Sequence, residues 1–431
     1  MPPLQVPRGT RDLLPAERAA FSRLERTAAE LAARYGYQAI ETPLFEQSEV
    51  FERGVGAATD VVEKELFRVV AGRGESERER WALRPEPTAG IARAYIQHGM
   101  HTLPPPVRLA LTGPMFRYDR PQAGRYRQFW QFDAEAMGDP GPGIDAEVIE
   151  LATRFLADVG VRDVELRLNS IGDGDCRPAY VEDLASFYRQ RADQLPEQER
   201  HRLDRAPLRL LDSKDARMVA LNQDAPSITD ALCEPCRKHF AAVRTHLDAI
   251  GVTYTIAPHL VRGLDYYTRT AFEFFPRLAH GQQDALGGGG RYDGLIELLG
   301  GRPTPGIGFG IGLDRVVLAL AAQGEEPPGP ARSAVVVVGA DAADTVTRLR
   351  LATDLRAAGI SARADLAPRK LARQLDGAAR SGAHFAVICG TELESGQVQL
   401  KDLEAGTQRL ANRADLPREL ARASAQHRHR P

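Results

Sequence analysis

A chain of 431 residues that is 43% hydrophobic and 26% charged has the make-up of a globular protein of two or three domains, with ample material for a core. Its formal net charge of -2 argues against a generic nucleic-acid coat, and no run of 18 apolar residues marks a transmembrane helix. The first residues, Met1 to Arg8, carry no apolar leader-like stretch, and Cys176, Cys233, Cys236 and Cys389 are too scattered for a disulfide framework, so a cytoplasmic location is expected.

From Pro15 to Tyr35, Phe21, Leu24, Ala28, Leu31, Ala32 and Tyr35 fall at helical spacing, which predicts an amphipathic helix ended by Gly36. Tyr37 to Phe45 follows as a strand, and Pro43, which cannot donate to a ladder, suits an edge or an interface. After a charged loop from Arg73 to Arg80, Glu86, Pro87 and Thr88 stand just before the helical Ile91 to Ile96. They offer a carboxylate and a hydroxyl to an ammonium group, or simply a helix start capped by Thr88. Val107 to Thr112 alternates as a strand and leads through Arg117, Tyr118, Asp119 and Arg120 to the return segment Arg125 to Ala136. There the period of two puts Trp130, Phe132, Ala134 and Ala136 on a core face and Gln131, Asp133 and Glu135 on a polar one. Gln131 and Glu135 lie roughly 13 Å apart along a strand, far enough to hold opposite ends of a small ligand. Arginines 117, 120, 125 and 127 are the guanidinium forks that phosphate recognition requires in a chain with only five lysines.

A helix from Ala146 to Gly160 and the strand Val164 to Asn169 precede a helical, charged insertion over about 177–256, in which little site chemistry is expected. Cys233, Cys236 and His239 are close enough to share a zinc ion but fall one ligand short, so a helix start is expected there and no metal ligand is assigned. The segment Leu260 to Thr270 gathers Arg262, Gly263, Asp265, Tyr266 and Tyr267 at the entry to the strand Ala271 to Phe275, the composition of a binding-site floor. Gly287 to Gly290 then lets a backbone approach a ligand closely, and Arg291, Tyr292 and Asp293 form a second such set. Gly306 to Gly312 is a glycine-rich strand feeding a helix that starts at Leu313, with Leu313, Val316, Val317 and Leu320 on one face. A dinucleotide fingerprint fails because position 311 is Ile311, and the chain contains no Gly-Lys pair, which excludes a Walker A loop. A proline-rich linker from Gln323 to Ser333 opens a last α/β unit with strands at Ala334–Val338, Phe385–Cys389 and Gln397–Lys401 and helices at Asp344–Gly359 and Arg369–Gly382. Residues 331–431 carry 16 Lys and Arg against 11 Asp and Glu, which favours a polyanion partner; the tail from Ala421 is expected to be disordered.

The Leu260–Thr270 and Gly287–Gly294 segments resemble the two signature peptides of histidyl-tRNA synthetases. The segments around Pro43, Arg117 to Glu135 and Gly306 to Arg315 resemble class II motifs 1, 2 and 3. The resemblance covers nearly the whole chain. It implies an α+β catalytic domain with an antiparallel sheet flanked by helices over 1–325, carrying the insertion, and an anticodon-binding α/β domain over 331–425. It implies two-step charging of tRNA(His) with L-histidine, with ATP as substrate, Mg²⁺ as cofactor and a homodimer formed through motif 1. The site residues it implies are Arg262 and Arg117 for catalysis and Glu86, Pro87, Thr88, Arg117, Gln131, Glu135, Arg262, Tyr266 and Tyr267 for histidine. For ATP they are Arg117, Arg125 and Arg315, with Arg315 in the first helical turn at the γ-phosphate. The family usually has glycine where Pro87 stands, glutamate for Asp119 and histidine for Trp130. A non-catalytic relative, the regulatory subunit of ATP phosphoribosyltransferase, is the alternative, but it generally lacks the C-terminal domain and part of the arginine set.

Overall fold

The protein is described by a computed structural model covering residues 3–56, 59, 61–70, 80–122, 124–200, 202–261, 263–264, 266–277, 285–325, 334–339 and 345–428. Arg262, Asp265, the linker from 326 to 333 and most of the charged Arg73–Arg80 loop therefore lie outside the described residues. The chain divides into two compact units, Met1–Pro328 and Gly329–Pro431. Among the described residues no helix is long and apolar enough to cross a membrane.

The larger unit is built on an eight-stranded sheet. In pairing order its strands are Gln38–Ala39, Val107–Phe116, Gln128–Met137, Gly306–Gly312, Gly287–Arg291, Thr268–Pro276, Val164–Ser170 and Thr255–Ile256. The six central strands are antiparallel, and each edge is closed by a two-residue parallel strand. The alternation of Phe132, Ala134 and Ala136 sends these side chains to one face, where they join the core formed by helices Pro15–Arg34, Pro142–Asp158, Glu234–Ala249 and Leu313–Ala322. Burying a ring such as Phe132 contributes about 1.5–3 kcal/mol, so a register slip that turned this face outward would forfeit several such terms. The first helix forms for the reasons its spacing gives: Pro15 starts it, Phe21, Leu24, Ala28 and Leu31 are buried, and Gly36 ends it at φ +76°.

The segment around Pro43 departs from the expected single strand. Gln38–Ala39 pairs with the large sheet, Phe45–Gln47 pairs instead with Trp81–Leu83 in a small three-stranded sheet, and Pro43 lies in neither strand. A residue without an N–H is tolerated where the ladder is interrupted. The insertion is helical as expected, with helices Arg177–Arg189, Glu197–Arg200, Ala216–Leu221 and Glu234–Ala249.

The smaller unit, taken by itself, orders its strands Ala362–Ala364, Val335–Gly339, Phe385–Cys389, Gln397–Asp402 and Gln408–Asn412, the first three parallel and the rest antiparallel. Val335 to Val338 are all buried because helices cover both faces of a central strand. Two strands, Ala362–Ala364 and Gln408–Asn412, escaped the sequence pattern. The expectation of a disordered tail from Ala421 is corrected as far as Arg428, residues 429–431 lying outside the described residues: a helix spans Leu416–Arg428, and Leu416 and Leu420, four residues apart, are buried in the domain core.

Candidate functional site

On the sheet face opposite the helical core, the return strand presents Gln131, Asp133 and Glu135. Asp133 and Glu135 are only 2% and 1% exposed, so the polar face read from the sequence is a buried floor and not a solvent surface. The neighbouring strand makes the room: Gly308 pairs with Glu135 and Gly310 with Asp133, and a Cβ on either glycine would collide with the facing carboxylate.

Two hydroxyls clamp Glu135. Thr88 Oγ1 donates to Oε1 at 2.6 Å and Tyr292 OH donates to Oε2 at 2.5 Å. Glu86 accepts from the backbone N–H groups of Thr88 and Ala89, each at 2.9 Å. The helix that starts at Thr88 is thus capped by the carboxylate two residues earlier, with Pro87 at the cap position, and not by Thr88 as the alternative reading had it. Burial pushes Glu135 up to about 8 against its two hydroxyl donors. Burial also raises Glu86, opposed by its backbone donors and by Arg117, and holds Asp133 well above the usual carboxylate range, reinforced by the charges of Glu135 and Glu86. Asp133 Oδ2 and Gln131 Oε1 are buried without a hydrogen-bond partner. Three buried acids side by side, with Asp133 Oδ2 unpartnered, make a floor whose buried charge a cation would relieve. Tyr266 and Tyr267 form one wall, their ring centroids 4.5 Å apart, and Tyr266 feels the charges of both Glu86 and Glu135.

The other end of the site is open. A cleft of about 610 Å³ is lined by Arg117, Arg125, Gln131, Gly288, Gly310 and Arg315, among others. Arg117 is held by its Nε donating to Pro85 O at 2.8 Å, Arg125 pairs with Asp119 at 3.4 Å, and Arg315 donates to Ala285 O. Trp130 lies outside this cleft: its ring meets Phe21 edge-on at 5.7 Å, and its backbone N–H donates to Asp314 Oδ2 at 2.8 Å. The side chain at that position therefore packs against the first helix.

The structure brings Glu86, Thr88, Glu135, Tyr266 and Tyr267 together at the acidic end and Arg117, Gln131, Arg125 and Arg315 along the open cleft; Arg262 is outside the described residues. It separates the second Arg-Tyr-Asp set. Arg291 is fully buried, pairs with Asp145 and Asp293, and donates to the carbonyls of Asp139 and Gly141, so it is part of the scaffold. Sequence reasoning named Tyr292 in the second set and Asp133 on the polar face but assigned neither a part in the site, although the alternation of the return strand already placed Asp133 beside Glu135. It also expected too little of the insertion, since Arg202, Arg209 and Lys214 line the cleft and nothing in local spacing marks them.

A family model described as histidyl-tRNA synthetase matches residues 9–316, and an anticodon binding domain model matches residues 333–422. The chain is 47% identical over 403 residues to the histidine–tRNA ligase of Moorella thermoacetica, covering 93% of this chain and 94% of that one. The apo histidyl-tRNA synthetase of S. aureus superposes with a TM-score of 0.80 at 34% identity, covering 97% of this chain and 99% of that one. A Bacillus halodurans structure described as an ATP phosphoribosyltransferase regulatory subunit/histidyl-tRNA synthetase shares the fold, with a TM-score of 0.63 at 22% identity over 90% of this chain and 99% of that one.

Proposed function

The chain belongs to the histidyl-tRNA synthetase family and is a histidine–tRNA ligase, and from that premise we propose how its residues divide the work. Histidine occupies the acidic end and ATP the arginine-lined cleft. The observation that carries this reading is the trio Glu86, Asp133 and Glu135, buried together, with burial raising all three although Arg117 acts on Glu86 and Asp133 and Arg84 on Asp133. Glu86 and Thr88, on the loop around Pro87, take the α-ammonium. Glu135 and Tyr267 take the two imidazole nitrogens, and Gln131 reaches the carboxylate end with Arg117. A fixed acceptor rejects isosteres that lack an N–H, because the buried acceptor would be left unpaired.

The histidine carboxylate attacks the α-phosphorus of ATP, the bond to the bridging oxygen breaks, and pyrophosphate leaves. The terminal ribose hydroxyl of tRNA then attacks the adenylate carbonyl, and AMP leaves with the bonding pair. Little covalent chemistry falls to the protein, so rate comes from position and from fixed charge at the α-phosphate, the role assigned to Arg117 and Arg262. Arg125 and Arg315 hold the outer phosphates. Glu65, Asp119 and Glu273 line the same cleft and have the oxygen chemistry that holds Mg²⁺, which would neutralise phosphate charge. Residues 331–425 take the anticodon arm, two chains pair through the region around Pro43, and the enzyme works in the cytoplasm.

Histidine-dependent exchange of pyrophosphate into ATP tests the reading. Exchange that depends on histidine supports it, and its absence in folded protein would favour the regulatory alternative. The intact set Glu86, Thr88, Glu135, Arg117 and Arg315 together with the C-terminal unit speaks against that alternative.

A further inference from the structure

Two pairs of side chains, sixty positions apart in sequence, converge at the base of the insertion. Asp173, Cys176, Cys233 and Cys236 each turn one ligand atom inward, and these atoms all lie within 4.8 Å of one another. Cys176 Sγ and Cys233 Sγ stand 3.6 and 3.7 Å from Asp173 Oδ1. A tetrahedral zinc ion with Zn–S bonds of about 2.3 Å spaces its ligand atoms by roughly 3.7 Å; the two edges from Asp173 Oδ1 already have that length, and every other is no longer than 4.8 Å. We propose that this Asp–Cys₃ cluster binds one structural Zn²⁺ ion.

Local spacing pointed to Cys233, Cys236 and His239 and fell one ligand short. The fold replaces His239, whose Nε2 instead meets Asp145 Oδ2 at 2.8 Å, with two ligands from the far side of the insertion. Each cysteine is placed by its backbone. Cys176 stands at the cap position of helix Arg177–Arg189 and Cys233 at that of helix Glu234–Ala249, with Cys236 in the first turn of the latter. Burial pushes the Cys236 thiol well up, so it is the ion that displaces the protons: three thiols shed them to solvent as it binds. The N–H of Asp173 meets Cys176 Sγ at 3.4 Å. Gly172 turns there at φ +65°, where a Cβ would come within 2.7 Å of that sulfur. Cys176 and Cys236 are buried and Cys233 is half-buried, which leaves the ion a way in.

The remaining carboxylate oxygen is oriented from behind. Asp173 Oδ2 pairs with Arg269 at 3.4 Å, as partners of metal-binding carboxylates commonly do. Arg269 also donates its backbone N–H to Gly172 O at 2.6 Å and itself sits at φ +51°, a left-handed conformation held by these bonds. Arg177, next to Cys176, donates to Tyr267 O at 2.6 Å. The ion would therefore brace two insertion helices against the Tyr266–Tyr267 segment that leads into the strand Thr268–Pro276.

The test is elemental analysis of the full-length protein purified without chelator. About one zinc per chain is expected in the parent and in Cys389→Ser, which alters the smaller unit, and less than about a tenth in Cys176→Ser and Cys236→Ser. Replacement by cobalt should give the charge-transfer and d–d bands of a tetrahedral thiolate site, and these parent measurements decide the matter should the cysteine variants fail to fold. A metal-free parent whose thiols all titrate as free, a disulfide among these cysteines, or full zinc retention in Cys236→Ser would each overturn the proposal. A raised KM for histidine after chelation, with kcat less affected, is expected if the brace reaches Tyr267.

Discussion

The two ends of the candidate site are built on opposite plans. At the acidic end, Asp133 and Glu135 project from the middle of a central strand and Glu86 caps a helix, so regular structure fixes all three and burial raises their affinity for protons. At the open end, Arg117 and Arg125 flank the turn between the two motif 2 strands, Arg315 begins a helix, and the insertion supplies further cations. A small cation is selected by a rigid, dry pocket in which each misplaced atom is costly. A polyphosphate is gathered by a wider ring of guanidinium groups, any one of which adds less selectivity.

The largest effect should come from the charge proposed to act at the reacting phosphorus. Arg262→His is expected to slow histidine-dependent pyrophosphate exchange by about 10²–10³-fold while histidine still binds, because one preorganised charge-stabilising donor is lost. Lysine at this position should restore only part, since it lacks the planar fork. A near-parental single-turnover rate for the histidine variant would contradict a catalytic role for Arg262.

Next comes the acidic end itself. Glu135→Gln should raise the KM for histidine by roughly ten- to over a hundredfold, the equivalent of about 1.5–3 kcal/mol for a hydrogen bond to a charged partner. An unchanged KM would refute the assignment. The same residue gives a pH signature. Its pKa is raised from 4.5 to about 8 in the folded protein, so between those values the folded state binds more protons than the unfolded state. Stability of the unliganded enzyme should therefore fall as pH rises across that window, and Glu135→Gln should flatten the slope; Tm measured at several pH values checks this. Tyr292→Phe removes one neutral donor from the ionised form and should cost roughly two- to tenfold in histidine KM, or about 0.5–1.5 kcal/mol. The smallest expected effect on adenylation is that of the C-terminal unit: a chain ending near Ala322 should keep pyrophosphate exchange and lose aminoacylation efficiency. Equal loss of both would show that the units do not act separately.

Much of this site was legible because it rests on periodicity. The period of two in Trp130 to Glu135 separated core from polar face, the spacing from Phe21 to Ala32 gave the first helix, and the glycines of Gly306–Gly312 showed where the chain needed room. What stayed hidden depends on tertiary convergence. Tyr292 reaches Glu135 only because the Gly287–Arg291 strand lies one strand away from it across Gly306–Gly312. Arg291 looked like a site residue until its neighbours, Asp145 and Asp293, were in place. The Leu416–Arg428 helix was masked by a polar, Arg- and His-rich tail that two leucines suffice to anchor. Cys176 and Asp173 stand about sixty positions before the Cys233–Cys236 pair, so no local ligand count could have included them.

The division of the candidate site is tested most directly by calorimetric titration of histidine and of ATP, separately, into the parent, Glu135→Gln and Arg315→Ala. The account predicts that Glu135→Gln weakens histidine binding by about ten- to a hundredfold and leaves ATP affinity within about twofold, and that Arg315→Ala does the reverse. Parallel loss of both ligands in both variants would contradict it, because the two ends would then be one undivided site.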